Sequence, residues 1–123
     1  MAISEAERAV MEVLWRRAPR TAGEILAEVG PRQGWQEGTV KSLLNRLLRK
    51  KVVRVARDGR RYLYRPALLR ERYVLEESKG LLDRLFGGRV APLVAHFSEH
   101  RKLSRKDIAE IRRLLEELDD ARD

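Results

Sequence analysis

Trp35-Gln36-Glu37-Gly38-Thr39-Val40-Lys41-Ser42-Leu43-Leu44-Asn45-Arg46-Leu47-Leu48-Arg49-Lys50-Lys51 is the stretch whose spacing decides the fold. Val40, Leu43, Leu44, Leu47 and Leu48 recur at helical intervals on one face, whereas Thr39, Lys41, Ser42, Asn45, Arg46 and Arg49 occupy the other. An apolar underside with an outer face of short hydroxyls, an amide and guanidinium groups suits a DNA major groove. There an arginine reads guanine, and small polar side chains fit beside base edges and phosphates. A solvated helix face would carry similar residues, so the weight rests on what surrounds this helix. Trp35 stands just before it, placed either to staple the entering chain to a core or to offer a stacking surface to a base.

The next segment, Val52-Val53-Arg54-Val55-Ala56-Arg57-Asp58-Gly59-Arg60-Arg61-Tyr62-Leu63-Tyr64-Arg65-Pro66, contains two β-prone runs joined through Asp58-Gly59. Glycine accepts the positive φ that a tight hairpin turn needs, and Pro66 closes the hairpin. A helix followed at once by a short basic hairpin has the order of a recognition helix and its wing, with Arg57, Arg60 and Arg61 near the flanking backbone. Upstream, Ser4-Glu5-Ala6-Glu7 is a capping box that starts a helix running to Arg17, with Ala6, Val10, Val13 and Leu14 inward, Trp15 near its end and Pro19 beyond it. Thr21-Ala22-Gly23-Glu24 repeats the box and starts a second helix carrying Ile25, Leu26 and Val29, with Gly30-Pro31 as its expected end. Three short helices and a hairpin over residues 1–66 make a winged helix-turn-helix.

Residues 67–123 read as helices alone. One long pattern over 67–86 puts Val74, Leu81, Leu82, Leu85 and Phe86 on a common side and ends at Gly87-Gly88. A shorter helix carries Val90, Leu93, Val94 and Phe97 with Pro92 in its first turn, and Ser104-Arg105-Lys106-Asp107 caps a third. In that last helix Ile108, Ile111, Leu115 and Leu118 alternate at steps of three and four, as a heptad seam does. So short a segment cannot cover three apolar helix faces by itself, and the surplus marks an association surface. The expected interface comprises Leu81, Leu82, Leu85, Leu93, Val94, Phe97, Ile108, Ile111, Leu115 and Leu118, most economically in an isologous homodimer. The tail Asp119-Asp120-Ala121-Arg122-Asp123 is the one segment expected to be disordered.

Charge divides at the same place. Residues 1–66 hold 15 Lys/Arg against 7 Asp/Glu and residues 67–123 hold 12 against 12, so the whole formal charge of +8 lies in the first part. The basic part faces a polyanion; the neutral, leucine-rich part faces another protein chain. Its basic residues are interleaved with a folded pattern, unlike the polybasic tail that suits an anionic membrane. With no cysteine there is no disulfide, thiolate metal site or cysteine nucleophile. No apolar stretch is long enough to span a bilayer and the N-terminus carries no signal-peptide pattern, so no membrane insertion is expected and the cytoplasm is the expected location.

Nothing in the chain has the form of catalytic machinery: no His-Glu-x-x-His pair, no Gly-rich phosphate loop and no nucleophile elbow is present. His96 and His100 stand four apart on one helix, a spacing that can hold a metal if Glu99 or Glu76 supplies a further ligand; the bland alternative is a surface or interface pair. Neither a cofactor nor an enzymatic activity is expected. A basic RNA- or ribosome-associated binding protein and a small metal-dependent enzyme are the alternatives to a DNA-binding repressor. Preference for RNA would mark the first, and loss of an activity to a chelator the second.

The residues resemble the penicillinase-repressor (BlaI/MecI/CopY) family of bacterial winged-helix regulators. The matching pieces are Ile3-Ser4-x-Ala6-Glu7 with Val10-Met11 and Trp15, Trp35-x-x-x-Thr39-Val40-x-x-Leu43-Leu44-x-Arg46-Leu47, and Gly59-Arg60 with Tyr62-x-Tyr64. Gly87-Gly88, Leu93-Val94-x-x-Phe97 and Leu103-Ser104-x-x-Asp107-Ile108 extend the match through the second part. The resemblance implies a homodimeric repressor on a short palindromic operator, of the TACA/TGTA type in the relatives, that blocks transcription of antibiotic-resistance or stress genes. It places the base-facing positions at Gly38, Thr39, Ser42 and Arg46. Relatives often have Ser-Pro-Lys where this chain has Gln36-Glu37-Gly38. Induction in β-lactam-responsive relatives is cleavage by a membrane-bound sensor protease at an Asn-Phe bond, which here corresponds to His96-Phe97. The C-terminal cysteine cluster of copper-responsive relatives has no counterpart in this cysteine-free chain.

Overall fold

A computed structural model of the chain describes residues 2–122. In order, the elements are α1 (Glu5–Arg16), α2 (Ala22–Gln33), α3 (Glu37–Arg49), β1 (Val53–Asp58), β2 (Arg61–Pro66), α4 (Arg70–Leu85), α5 (Val90–Glu99) and α6 (Arg105–Arg122). The architecture is mainly helical with one antiparallel hairpin. It forms two compact units, Met1–Val74 and Leu75–Asp123, and the division falls inside α4.

The first unit is built on a single core. Val10, Met11, Val13 and Leu14 of α1, Ile25 and Val29 of α2, and Val40, Leu43, Leu44 and Leu47 of α3 close against Val52 and Val53. Both expected capping boxes are formed: Ser4 Oγ accepts from Glu7 N–H at 3.1 Å, and Thr21 Oγ1 accepts from Glu24 N–H at 3.1 Å, with each glutamate reaching back to the cap N–H. Glu7 is buried in the process, and Lys50 beyond the end of α3 reaches it at 2.6 Å. Burial works to raise the Glu7 pKa, but the Lys50 ammonium and the Ser4 N–H bring it below the ordinary carboxylate value.

Several boundaries depart from the sequence reading. α1 ends at Arg16, one residue earlier than expected. α2 does not stop at Gly30-Pro31; it runs through Pro31 to Gln33 and ends on Gly34, whose φ of 71° is the left-handed cap. The helix survives its proline because Gly30 has no Cβ for the pyrrolidine ring to strike. Gly30 is also closely packed: a Cβ there would lie 2.9 Å from Leu26 Cδ1 and 3.3 Å from the Trp35 carbonyl oxygen. The hairpin turn is Gly59-Arg60, with Asp58 still paired to Arg61, so Gly59 (φ 64°) is the first central turn residue. β2 is also bridged on its other side, where Arg20 and Tyr64 exchange N–H···O bonds of 3.0 and 2.7 Å. The Arg20 guanidinium is held by Glu28 of α2.

α4 begins at Arg70, not at residue 67, because residues 67 and 68 are engaged elsewhere: their N–H groups both bond the Val52 carbonyl at 2.8 and 3.2 Å. The expected disordered tail is helical through Arg122; Asp123 lies outside the described residues. Gly87 (φ 60°) and Gly88 (φ 76°) end α4 as read, and α6 starts on the Ser104 cap, with Asp107 N–H bonded to Ser104 Oγ at 3.0 Å. α4, α5 and α6 contain no buried residue among those described.

Candidate nucleic-acid interface

The amphipathic pattern of α3 determines which of its side chains are offered. With Val40, Leu43, Leu44 and Leu47 locked into the core, Glu37, Gly38, Thr39, Lys41, Ser42, Asn45, Arg46 and Arg49 are all exposed on the opposite face. The N-cap residue Gln36 makes no side-chain cap bond; its carbonyl accepts from Thr39 and Val40 N–H at 3.1 and 3.3 Å. Gly38 leaves this first turn bare, since a Cβ there would meet nothing within 4 Å. The helix start is therefore without a side-chain cap, and the exposed Glu37 carboxylate stands in the same turn as its free N–H groups.

The two flanks of α3 differ. On one, Ala6, Gly38, Thr39, Ser42, Leu43 and Arg46 line a cleft of about 410 Å³. Arg46 has no carboxylate partner among the described residues, and neither have Arg49 and Arg60. On the other flank, a cleft of about 320 Å³ is bounded by Thr21, Ala22, Gly23, Glu37, Lys41, Arg61, Tyr62 and Tyr64. Lys41 Nζ lies 2.9 Å from Glu37 Oε1, and Arg61 is held by Asp58, also at 2.9 Å. The hydrogen bond to Lys41 and its charge hold the Glu37 carboxyl below its usual pKa, and the same bond raises that of Lys41. Arg57 donates to the Gly59 carbonyl at 3.0 Å and its guanidinium stands 5.8 Å from the Tyr62 ring centre, so it braces the wing tip.

Two basic wing residues were not singled out from the sequence. Arg54 and Arg65 are register partners on the hairpin and both are exposed. Like charges placed directly opposite oppose strand pairing, and a polyanion would relieve that repulsion. Counting back from a two-residue turn at Gly59-Arg60 would have put them opposite each other.

The second unit presents apolar surface. Leu85, Leu115 and Leu118 are 65%, 57% and 59% exposed, and Leu81, Phe97 and Ile108 are exposed as well; Leu82, Leu93, Val94 and Ile111 are half-buried. A groove of about 510 Å³ between α5 and α6 is walled by Ala91, Val94, Ala95, Leu103, Ile108, Ile111 and Leu115, with Ser98 and Arg112 at its edge. It unites four residues of the expected interface, Val94, Ile108, Ile111 and Leu115, and leaves the other six outside. The His96-Phe97 bond lies inside α5. The His96 and His100 rings are 4.5 Å apart and His100 Nδ1 stands 2.9 Å from the His96 carbonyl oxygen. Among the described residues, no group of three or more His, Cys, Asp or Glu side chains is arranged to hold a metal ion. No helix among them is long and apolar enough to cross a membrane.

A sequence profile of the penicillinase repressor family matches residues 3–117. The penicillinase repressor of Bacillus licheniformis is 30% identical over 94% of this chain and 90% of its own, and that of Staphylococcus aureus is 28% identical over 94% and 92%. Among solved structures, the DNA-binding domain of the repressor BlaI is 30% identical, covers 58% of this chain and 87% of its own, and superposes with a TM-score of 0.53. The Bacillus licheniformis BlaI monomeric form in complex with the blaP half-operator is 29% identical over 59% and 89%, also with a TM-score of 0.53. A match spanning the winged helix and the helices beyond it shows that the chain belongs to the penicillinase repressor family.

Proposed function

We propose that this protein is a DNA-binding transcriptional repressor that acts as a homodimer on a palindromic operator. The observation that carries the reading is the outward face of α3, where Thr39, Ser42, Asn45 and Arg46 stand exposed on a fully buried underside beside a basic hairpin. α3 enters the major groove and Gly38, Thr39, Ser42 and Arg46 face base edges. Asn45, Arg49 and the wing residues Arg57, Arg60 and Arg61 attend to the backbone, and Lys41 lies on the same face with its ammonium held by Glu37. Residues 1–66 supply the reading head and residues 67–123 the dimer contacts, including Leu81, Leu82, Leu85, Leu93, Val94, Phe97, Ile108, Ile111, Leu115 and Leu118. The protein works in the cytoplasm, catalyses no reaction, and controls resistance or stress genes; one relative is named a methicillin resistance regulatory protein.

Release from the operator follows from loss of the dimer. Cleavage at His96-Phe97 by a membrane-bound sensor protease would remove α6 and its seam, and because the bond is helical, α5 must open before it can be cut. The test of the whole reading is selection of duplexes from a random pool by the intact chain. Enrichment of an inverted repeat with half-sites about 34–36 Å apart is expected. A preference for RNA over every duplex would overturn it.

A further inference from the structure

The two flanks of α3 carry opposite charge arrangements, and the difference centres on Glu37. Its side chain is exposed in the first helical turn, where a carboxylate complements the free N–H groups. It holds Lys41 Nζ at 2.9 Å, and in the same cleft Arg61 is held by Asp58. Arg46 on the far flank has no such partner among the described residues. Sequence-independent affinity for DNA grows with every cation free to neutralise a phosphate. A lysine that already holds a carboxylate must give it up, or bring a negative charge against the polyanion.

Resting on the DNA-binding reading above, we propose that Glu37 is a specificity-determining residue: it withholds Lys41 from phosphate, lowering affinity for arbitrary duplexes so that base contacts from the Arg46 flank decide which sites are held. Glu37 works by suppressing the wrong complexes. Its effect is confined to the charge-driven part of binding, and Lys41 is the group through which it acts.

The test compares the full-length wild type, Glu37→Gln, Lys41→Ala and the double variant. Each is titrated across a salt series against two probes, the duplex the wild type selects from a random pool and a scrambled duplex of the same length. Glu37→Gln is expected to steepen the slope of log K against log salt by about 0.9 on the scrambled duplex and to raise its low-salt affinity roughly threefold, with less gain on the selected one. Lys41→Ala alone should change the slope little, and in the Glu37→Gln background it should restore the wild-type slope. An unchanged slope in Glu37→Gln overturns the proposal, as does a loss of preference at one base pair with scrambled binding unaltered, which would make Glu37 a direct reader. Glu37→Ala serves as the second variant, with helicity compared by circular dichroism. If the wild type fails to prefer its selected duplex, the DNA-binding reading itself fails, whatever Glu37→Gln does.

Discussion

α3 and α6 are both leucine-rich amphipathic helices, yet α3 buries Val40, Leu43, Leu44 and Leu47 whereas α6 buries nothing. α3 is clasped by α1, α2 and the root of the hairpin, so its apolar stripe is consumed within the chain and its polar face is left exposed, the surface assigned to DNA in the proposed function. α6 shares a partly open groove with α5, and its apolar stripe is left uncovered, the surface assigned to the dimer in the proposed function. The same periodicity thus serves two purposes, and what decides between them is how much other chain is available to cover it.

The sharpest way to break the comparison is to truncate matched leucines. Leu44→Ala should cost the first unit about 2–5 kcal/mol, the range for a fully buried leucine, read as a lowered midpoint in denaturant titration. Leu115→Ala, at a position 57% exposed, should leave that midpoint within about 0.5 kcal/mol. Leu115→Asp or Ile111→Asp should instead dissociate the dimer, seen as a shift to monomer in sedimentation, because a carboxylate in a helix seam is left without a partner. A wild type already monomeric at micromolar concentration would remove the role given to α6.

A second pair of substitutions separates reading from retention. Arg46→Ala should weaken the selected duplex by about 1–3 kcal/mol and relax discrimination within the half-site. Arg60→Ala should weaken selected and scrambled duplexes alike. Footprints of Arg46→Ala with unaltered preference would take the reading function away from α3.

Acid should strike the first unit through Glu7. Its folded pKa lies below the ordinary 4.5, so the Glu7–Lys50 pair contributes stability that is fully present above that value and is lost as pH falls through the depressed one. Thermal melts of the first unit should therefore weaken on acidification below the ordinary carboxylate value, and Glu7→Gln should flatten that part of the profile. The smallest effect is expected at Gly38, where a side chain meets open space. Gly38→Ala should stabilise α3 of the free chain by up to about 1 kcal/mol, read in denaturant titration.

Much of this was legible in the sequence because local signals agreed with one another. The Ser4 and Thr21 boxes, the stripe of α3, the glycines after α4 and the Ser104 cap each named an element that forms. What escaped reading depended on contacts distant along the chain. A proline after a glycine looked like a helix end, yet that glycine, with no Cβ for the ring to strike, lets α2 run on to Gln33. The bridge from Arg20 to Tyr64 joins residues with no shared pattern. At the candidate site the exposed positions of α3 followed from periodicity, but the pairing of Lys41 with Glu37 and of Arg61 with Asp58 depends on rotamers. Composition counts Lys41, Arg46, Arg49, Arg57, Arg60 and Arg61 as six equivalent cations, although Lys41 and Arg61 already hold a carboxylate.

The Trp15 side chain has a consequence of a different kind. Its indole N–H donates to the Leu68 carbonyl at 2.8 Å and its ring sits 5.3 Å from that of Tyr73, while the only other tryptophan, Trp35, stands two residues before α3. The chain therefore carries two built-in fluorophores with separate duties. Trp35 emission reports events at the start of α3, and Trp15, within energy-transfer distance of Tyr73, reports whether the first turn of α4 stays moored. In a Trp15→Phe variant the spectrum would follow the arrival of a duplex at α3 alone, with no dye attached.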